Sequence, residues 1–344
     1  VQKKGLTYSK AGVDIDAKSG AIAALVKELT FARKGRGAPV ELGGHFAGLV
    51  EFGRYYLSLC TDGVGTKLMV AEALNRYDTI GIDCIAMNAN DMICVGAEPL
   101  AFVDYIAVDK PRPEVVAAVG RGLSKGAELA NVSIIGGETA VLPEMVHGLD
   151  LSGTCMGFVE KGKEITGNKI RIGDAVIGVE SSGVHSNGLT LARRVLKDAG
   201  INYLDTLPGF DNSAGDELLT PTHMYVRPVM KVIKETGVHG FANITGGGLR
   251  NLLRWKPDIQ VRIEKPLPPH EIFKTMQRLG RITDREMYQT FNMGMGFSMV
   301  APKKSVDAIA DIFGKFGLKV AAVGTIAKGT GVVHTKLKLN YTKY

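Results

Sequence analysis

The sequence predicts a two-domain α/β or α+β protein, and three observations carry that reading. Apolar runs of strand length alternate along the chain with stretches whose apolar residues recur every three or four positions. The 43 glycines gather at the ends of those runs, giving a recurring unit of strand, glycine-rich turn and helix. A length of 344 residues suits two domains of roughly 150 residues each better than a single core.

The elements follow in order. In "AGVDIDAKSG" Asp14 and Asp16 stand one residue apart, so they share a side in an extended segment or N-cap the helix carrying Ala21, Leu25 and Lys27. "ELGGHFAGL" (41 to 49) is a loop able to close over a ligand, or a mobile tip. "YYLSLC" (55 to 60) alternates like a half-buried strand and feeds the turn "TDGVGTK". Ile85, Ala89, Met92 and Val95 mark a helix over 79 to 95, stopped by "GAEP". "LAFVDYIAV" (100 to 108) is a strand, Pro111 and Pro113 open a helix to Ala130, "VSIIGGETA" is strand then loop, and "LSGTCMGFVE" (151 to 160) is a strand.

Polar "KGKEITGNKIRIGD" (161 to 174) marks the boundary between a first domain, 1 to 165, and a second, 166 to 344. Beyond it the rhythm returns. Strand "AVIGVE" leads through "SSGVHSNG" into a helix with Leu189, Ala192, Leu196 and Ala199, and "FANITGGGLRNLLR" repeats the plan. Strands "MGMGFSMVA" and "KVAAVGTI" flank the apolar helix "SVDAIADIFGKFG".

Composition narrows the function. With 45% hydrophobic and 22% charged residues the chain is a folded one, and no run of about 18 apolar residues is long enough to span a membrane. No signal peptide is visible, and four cysteines without a C-x-x-C pair read as buried thiols in a reducing cytoplasm. The net charge of +7 is scattered, without the basic stripe that nucleic acid demands, and suits an anionic small molecule.

The turn "TDGVGTK" fits neither a P-loop nor a dinucleotide fingerprint, because Thr66 precedes Lys67 and Leu68 follows it. Three acids beside glycine turns, Asp62, Asp91 and Glu138, suggest a metal, since magnesium takes a few carboxylates together with phosphate oxygens. In the second half Ser182, Gly183, His185, Ser186 and Asn187 stand just before a helix, and Thr245, Gly246 and Gly247 repeat the arrangement. Both turns suit a phosphate or polar substrate. Of seven histidines His185 alone sits in such a turn, with His45 and His147 as second choices.

These residues resemble the phosphoribosylformylglycinamidine cyclo-ligase (AIR synthetase) family. The resemblance covers nearly the whole chain, from "YSKAGVDIDA" through "TDGVGTKL", "NANDMICVGAEP", "GGETA", "SSGVHSNG" and "ITGGG" to "EMYQTFNMGMG". Asp91, Gly96, Ala97 and Pro99 fit its D-x4-G-A-x-P signature, of which a looser form is shared with selenophosphate synthetase and thiamin-monophosphate kinase. The resemblance implies a mixed N-terminal sheet that pairs with a second subunit's sheet into a barrel, a C-terminal mixed sheet flanked by helices, and a homodimer. It implies ATP-dependent cyclisation of a phosphoribosyl substrate. Magnesium would lie on Asp62, Asp91 and Glu138, and ATP near Asp14, Asp16, Gly63, Gly65, Thr66 and Lys67. Lys27 and His185 would serve catalysis, and Ser182, Gly183, Ser186, Asn187, Asn243, Thr245, Gly246 and Gly247 would hold substrate. Asn243 stands where many relatives carry histidine; an amide hydrogen-bonds but moves no proton near neutrality. Another ATP-dependent enzyme of the superfamily, a non-catalytic dimeric binder of the same fold and a basic nucleic-acid binder are the rival readings; a selenophosphate synthetase would want a cysteine that "ELGGHFAGL" does not hold.

Overall fold

The computed structural model describes residues 5–344, apart from the side chain of Asp16, so that residue's expected role at ATP lies outside the described residues. The first unit runs α1 (Ile15–Glu28), β1 (Pro39–Val40), β2 (Gly48–Phe52), β3 (Tyr55–Gly63), α2 (Leu68–Ala73), α3 (Ile80–Met92), β4 (Glu98–Val108), α4 (Pro113–Ala130), β5 (Ser133–Val141) and β6 (Leu149–Glu160). Its strands form a six-stranded sheet in the order β1-β2-β3-β6-β4-β5. All pairs are antiparallel except β4 with β5, which α4 joins by a crossover.

The predicted helix over 79 to 95 is α3 followed by a short 3-10 turn, closed by the left-handed Gly96. "GGETA" corrects an expectation: it continues β5 rather than forming a loop, since its backbone pairs with β4 through Val141. "TDG" likewise belongs to β3, paired along its length with β6. Helices α3 and α4 cover one face of the sheet. They approach so closely that a Cβ at Gly81 would collide with the backbone of Gly122 and Leu123.

The second unit comprises β7 (Ala175–Glu180), α5 (Leu189–Asp198), α6 (Ala214–Leu219), α7 (Val226–Glu235), β8 (Gly240–Asn243), β9 (Ile259–Ile263), α8 (Glu271–Gly280), α9 (Asp284–Thr290), β10 (Met295–Ala301), α10 (Val306–Gly314), β11 (Val320–Lys328), β12 (Gly331–His334) and β13 (Leu339–Tyr341). Its seven-stranded sheet, β13-β12-β9-β11-β7-β10-β8, is also mixed, with β9 and β12 parallel. β7 and β10, both interior strands of it, are almost wholly buried, as strands covered on both faces should be. Among the described residues no helix is long and apolar enough to cross a membrane.

Helix α3 joins the two units through a row of buried polar side chains. Asp83 accepts from both the backbone N–H and the hydroxyl of Thr222, at 2.8 and 2.6 Å. Asn90 accepts from the Tyr225 N–H and donates to the His223 carbonyl. Lys67 is fully buried, 2.8 Å from Asp83 and donating to the Thr220 carbonyl at 2.7 Å.

A carboxylate-lined cavity as candidate active site

Asp62 stands at the end of β3 and Asp91 on the last turn of α3. Both line one cavity of about 250 Å³. Lys18 and Ser19 of α1 form one wall of it, and Asn187, Thr245, Gly246 and Gly247 of the second unit form another. Gly246 is packed so tightly there that a Cβ would lie 3.0 Å from Asn187 Oδ1.

Burial dominates the electrostatics. It pushes the Asp91 carboxyl up to about 7, against a 2.8 Å hydrogen bond donated by Asn243 Nδ2; the charge of Asp62 raises it further and Arg254 opposes. Asp62 is also raised by burial, offset by the Gly63 N–H at 2.8 Å and by Lys18. Two carboxylates in one cavity, Asp91 half-buried and Asp62 open to solvent, are hard oxygen donors that gain from a divalent cation. The residues present therefore fit magnesium held with phosphate oxygens.

Glu138 does not join them. The register sets Glu138 level with Tyr105, Ser152 and Gly63, whereas Asp62 is level with Gly153 and Asp104 on the opposite face. Among the described residues no three His, Cys, Asp or Glu side chains converge on a metal position, and of the three expected acids Asp62 and Asp91 line the cavity while Glu138 does not.

Other expectations are corrected by burial and partners. Lys67 cannot reach a phosphate: it is enclosed by Asp83 and Thr220. His185, with φ +62, is buried between His223 and Tyr225, and its Nε2 accepts from the Ser182 N–H at 3.1 Å. Burial lowers it well below the ordinary histidine range, so it shapes the turn as a neutral ring and lines no part of the carboxylate cavity. Lys27 is exposed on the last turn of α1 and is absent from that wall, whereas Lys18 on the same helix lines it.

Several predicted residues support the local backbone instead. Asp14 N-caps α1 through the Ala17 N–H at 3.0 Å. Gly63 ends β3, Gly65 has φ +68, and the Thr66 hydroxyl meets that of Thr190 at 3.0 Å. Ser182 donates to the Pro221 carbonyl and borders a separate cleft, Gly183 has a φ of +148 that favours glycine, and the buried Ser186 hydroxyl has no partner among the described residues. The structure brings together Asp62, Asp91, Asn187, Asn243, Thr245, Gly246 and Gly247. Sequence reasoning missed Lys18, Tyr8, Arg254 and Tyr344: the first three lie within stretches noted above without being singled out, and the four converge only through folding.

The four cysteines are unpaired thiols. Burial raises Cys155 to about 12 and raises Cys60, Cys84 and Cys94 as well, which removes them as nucleophiles.

Comparison with known proteins gives the chain's family and fold. Residues 44–159 match the family described as AIR synthase related protein, N-terminal domain, and residues 171–336 match its C-terminal domain. A phosphoribosylformylglycinamidine cyclo-ligase of Methanosarcina barkeri is 49% identical over 91% of this chain and 94% of its own length. One from Methanocaldococcus jannaschii is 45% identical over 96% and 95%. The fold is shared with thiamine-monophosphate kinase from Stenotrophomonas maltophilia, at TM-score 0.63 and 20% identity over 92% of this chain and 94% of that one. It is shared also with a ThiL complexed with AMPPCP and TMP, at TM-score 0.63 and 18% identity over 94% of each chain. By sequence over nearly its full length, the chain belongs to the phosphoribosylformylglycinamidine cyclo-ligase family.

Proposed function

We propose that the chain catalyses the ring closure of its family in the cavity of Asp62 and Asp91, converting formylglycinamidine ribonucleotide and ATP to aminoimidazole ribonucleotide, ADP and phosphate, a step of purine biosynthesis. The observation that carries this reading is the convergence of two carboxylates from the first unit with the 245–247 turn and Asn187 of the second in one cavity.

The chemical difficulty is the formyl oxygen, a very poor leaving group. Transfer of the γ-phosphoryl onto it creates a phosphate that departs after an amidine nitrogen attacks the formyl carbon. Positioning and neutralisation of charge dominate such transfers. Magnesium, when bound, would be held by Asp62 and Asp91 and would supply charge neutralisation at the phosphates. Asn243 keeps Asp91 in place and favours its ionised form by donating to Oδ1. Lys18 adds positive charge beside Asp62. Thr245, Gly246, Gly247 and Asn187 present a polar wall for the phosphoribosyl substrate, and fixing nucleophile and carbon in contact favours closure of the ring.

Release of inorganic phosphate, followed by a coupled colour assay, is expected only when ATP, magnesium and formylglycinamidine ribonucleotide are all present. ATP turnover without the ribonucleotide, or none with it, would sink the reading.

A homodimer belongs to the same reading. Leu59, Val103, Tyr105 and Met156 stand exposed on the sheet face that α3 and α4 leave bare, and β5 is exposed along its length. Such an apolar face suits a second copy of that sheet. Val103→Asp is expected to shift the sedimentation coefficient from dimer to monomer; a parent chain already monomeric at micromolar concentration would refute the pairing. A reducing cytoplasm fits the four unpaired thiols.

A further inference from the structure

Arg254 lies at the end of the 3-10 turn after β8 and lines the cavity of Asp62 and Asp91. Two aromatic rings from distant parts of the chain stack on its guanidinium: Phe46 at 4.7 Å and Tyr344 at 4.4 Å from ring centroid to Cζ. Its Nη2 donates to the Tyr344 hydroxyl at 2.7 Å, a hydroxyl also reached by Asn251 Nδ2 at 3.5 Å. Phe46 belongs to the loop before β2, so the stack fixes the guanidinium between the two units. With Cζ held over both rings and Nη2 donating to Tyr344, the guanidinium keeps further N–H donors for a ligand in the cavity that it lines. Among the described residues no carboxylate pairs with it, although its charge is felt at Asp91.

A half-buried cation without a carboxylate partner among the described residues, held by two rings and a hydroxyl beside two carboxylates, is suited to an anion that passes through the cavity. The carboxylates cannot serve that purpose, since they repel phosphoryl oxygens unless a cation intervenes. A preorganised guanidinium needs no intermediary and matches phosphoryl oxygens in a bidentate fashion.

We infer that Arg254 is a catalytic residue that contacts the phosphoryl group in transit from ATP to the formyl oxygen, with Phe46 and Tyr344 as the residues that position it. In that step the bond between the γ-phosphorus and its bridging oxygen breaks, its electron pair leaves with ADP, and the formyl oxygen forms the new bond to phosphorus. Negative charge spreads over the three equatorial oxygens, which is where guanidinium donors gain strength relative to the ground state. The inference rests on the ring-closure reading above.

Arg254→Met and Arg254→Lys test it. Each is expected to lower kcat for phosphate release by about 100-fold or more while KM for ATP moves less than about 3-fold. Binding measured by calorimetry gives a second readout. ADP with aluminium fluoride, a mimic of the phosphoryl group in flight, should lose affinity by a similar factor, whereas AMPPCP binding should stay near that of the parent. Millimolar guanidinium should restore part of the turnover of Arg254→Ala. Tyr344→Phe, which keeps the ring and loses the hydroxyl, should show a smaller loss of kcat.

A kcat within 3-fold of the parent in Arg254→Lys and Arg254→Met overturns the inference, as does an equal loss of AMPPCP and ADP–aluminium fluoride binding. Should Arg254→Met fail to fold, Arg254→Lys and the binding comparison decide. A parent chain that binds ADP–aluminium fluoride through Arg254 but closes no ring would refute the substrate reading and leave the role of Arg254 standing.

Discussion

Asp91→Asn is expected to lower ATP-dependent ring closure by about a thousandfold and, at neutral pH, to raise the melting temperature of the metal-free chain. The first effect follows from losing one of two carboxylates that fit magnesium. The second follows from linkage. Burial holds the folded carboxyl at about 7, against an unfolded value near 3.9, so between those values the folded chain binds more protons than the unfolded one. Stability therefore falls at this site as pH rises from about 4 to 7, and the full cost remains above 7. An amide carries no charge to desolvate and should recover roughly 1–3 kcal/mol of that cost, a range below the full shift because Asp91 is only partly enclosed at the cavity wall. Melting of parent and variant across pH 4–8 should thus diverge as pH rises. Parallel curves would show that Asp91 is solvated like an ordinary carboxylate, and an undiminished rate would remove it from the metal.

Lys67→Met is expected to act on the fold rather than on nucleotide binding. Lys67 and Asp83 have no exposed side-chain surface, and removal of the cation leaves Asp83 charged and enclosed, with only Thr222 to donate to it. Breaking one half of a buried pair costs about 3–5 kcal/mol, and the midpoint of thermal unfolding should fall on the order of 10 °C. Asp83→Asn in the same chain should recover part of the loss, because the unpaired charge is then gone. Had Lys67 touched phosphate, the variant would melt normally and show a raised KM for ATP. That pattern would refute the burial assignment.

The fold was readable in the sequence where periodicity was long. α3, α4, α5, α10 and the strands β4, β6, β7 and β10 lie close to where apolar spacing and glycine placement put them. "GGETA" was misread because glycines ordinarily end strands, yet parallel pairing with β4 carries the backbone straight through them. Of the site, Asp91 and the 245–247 turn were legible from glycine-flanked acids and turns, and the structure brings Asp62 to the same cavity. Glu138 shared that signature but not the sheet face, and side-chain facing depends on register, which no local pattern reveals. Lys67 and His185 looked functional because a lysine and a histidine beside glycines usually meet solvent. Here the second unit covers both, through Thr220 in one case and through His223 and Tyr225 in the other. Arg254 could not be found in advance, as its partners Phe46 and Tyr344 lie 208 residues before and 90 residues after it in the chain.

The polar row along α3 also sets how the molecule can deform. Opening the seam between the units would strip Asp83, Asn90 and Lys67 of their bonds to residues 220–225 at once, whereas α1 is exposed over most of its surface and is bonded sparingly to the rest. The seam between the sheets is therefore the stiffer wall of the reaction chamber, and the exposed amino-terminal helix is the wall that fewer bonds among the described residues hold in place.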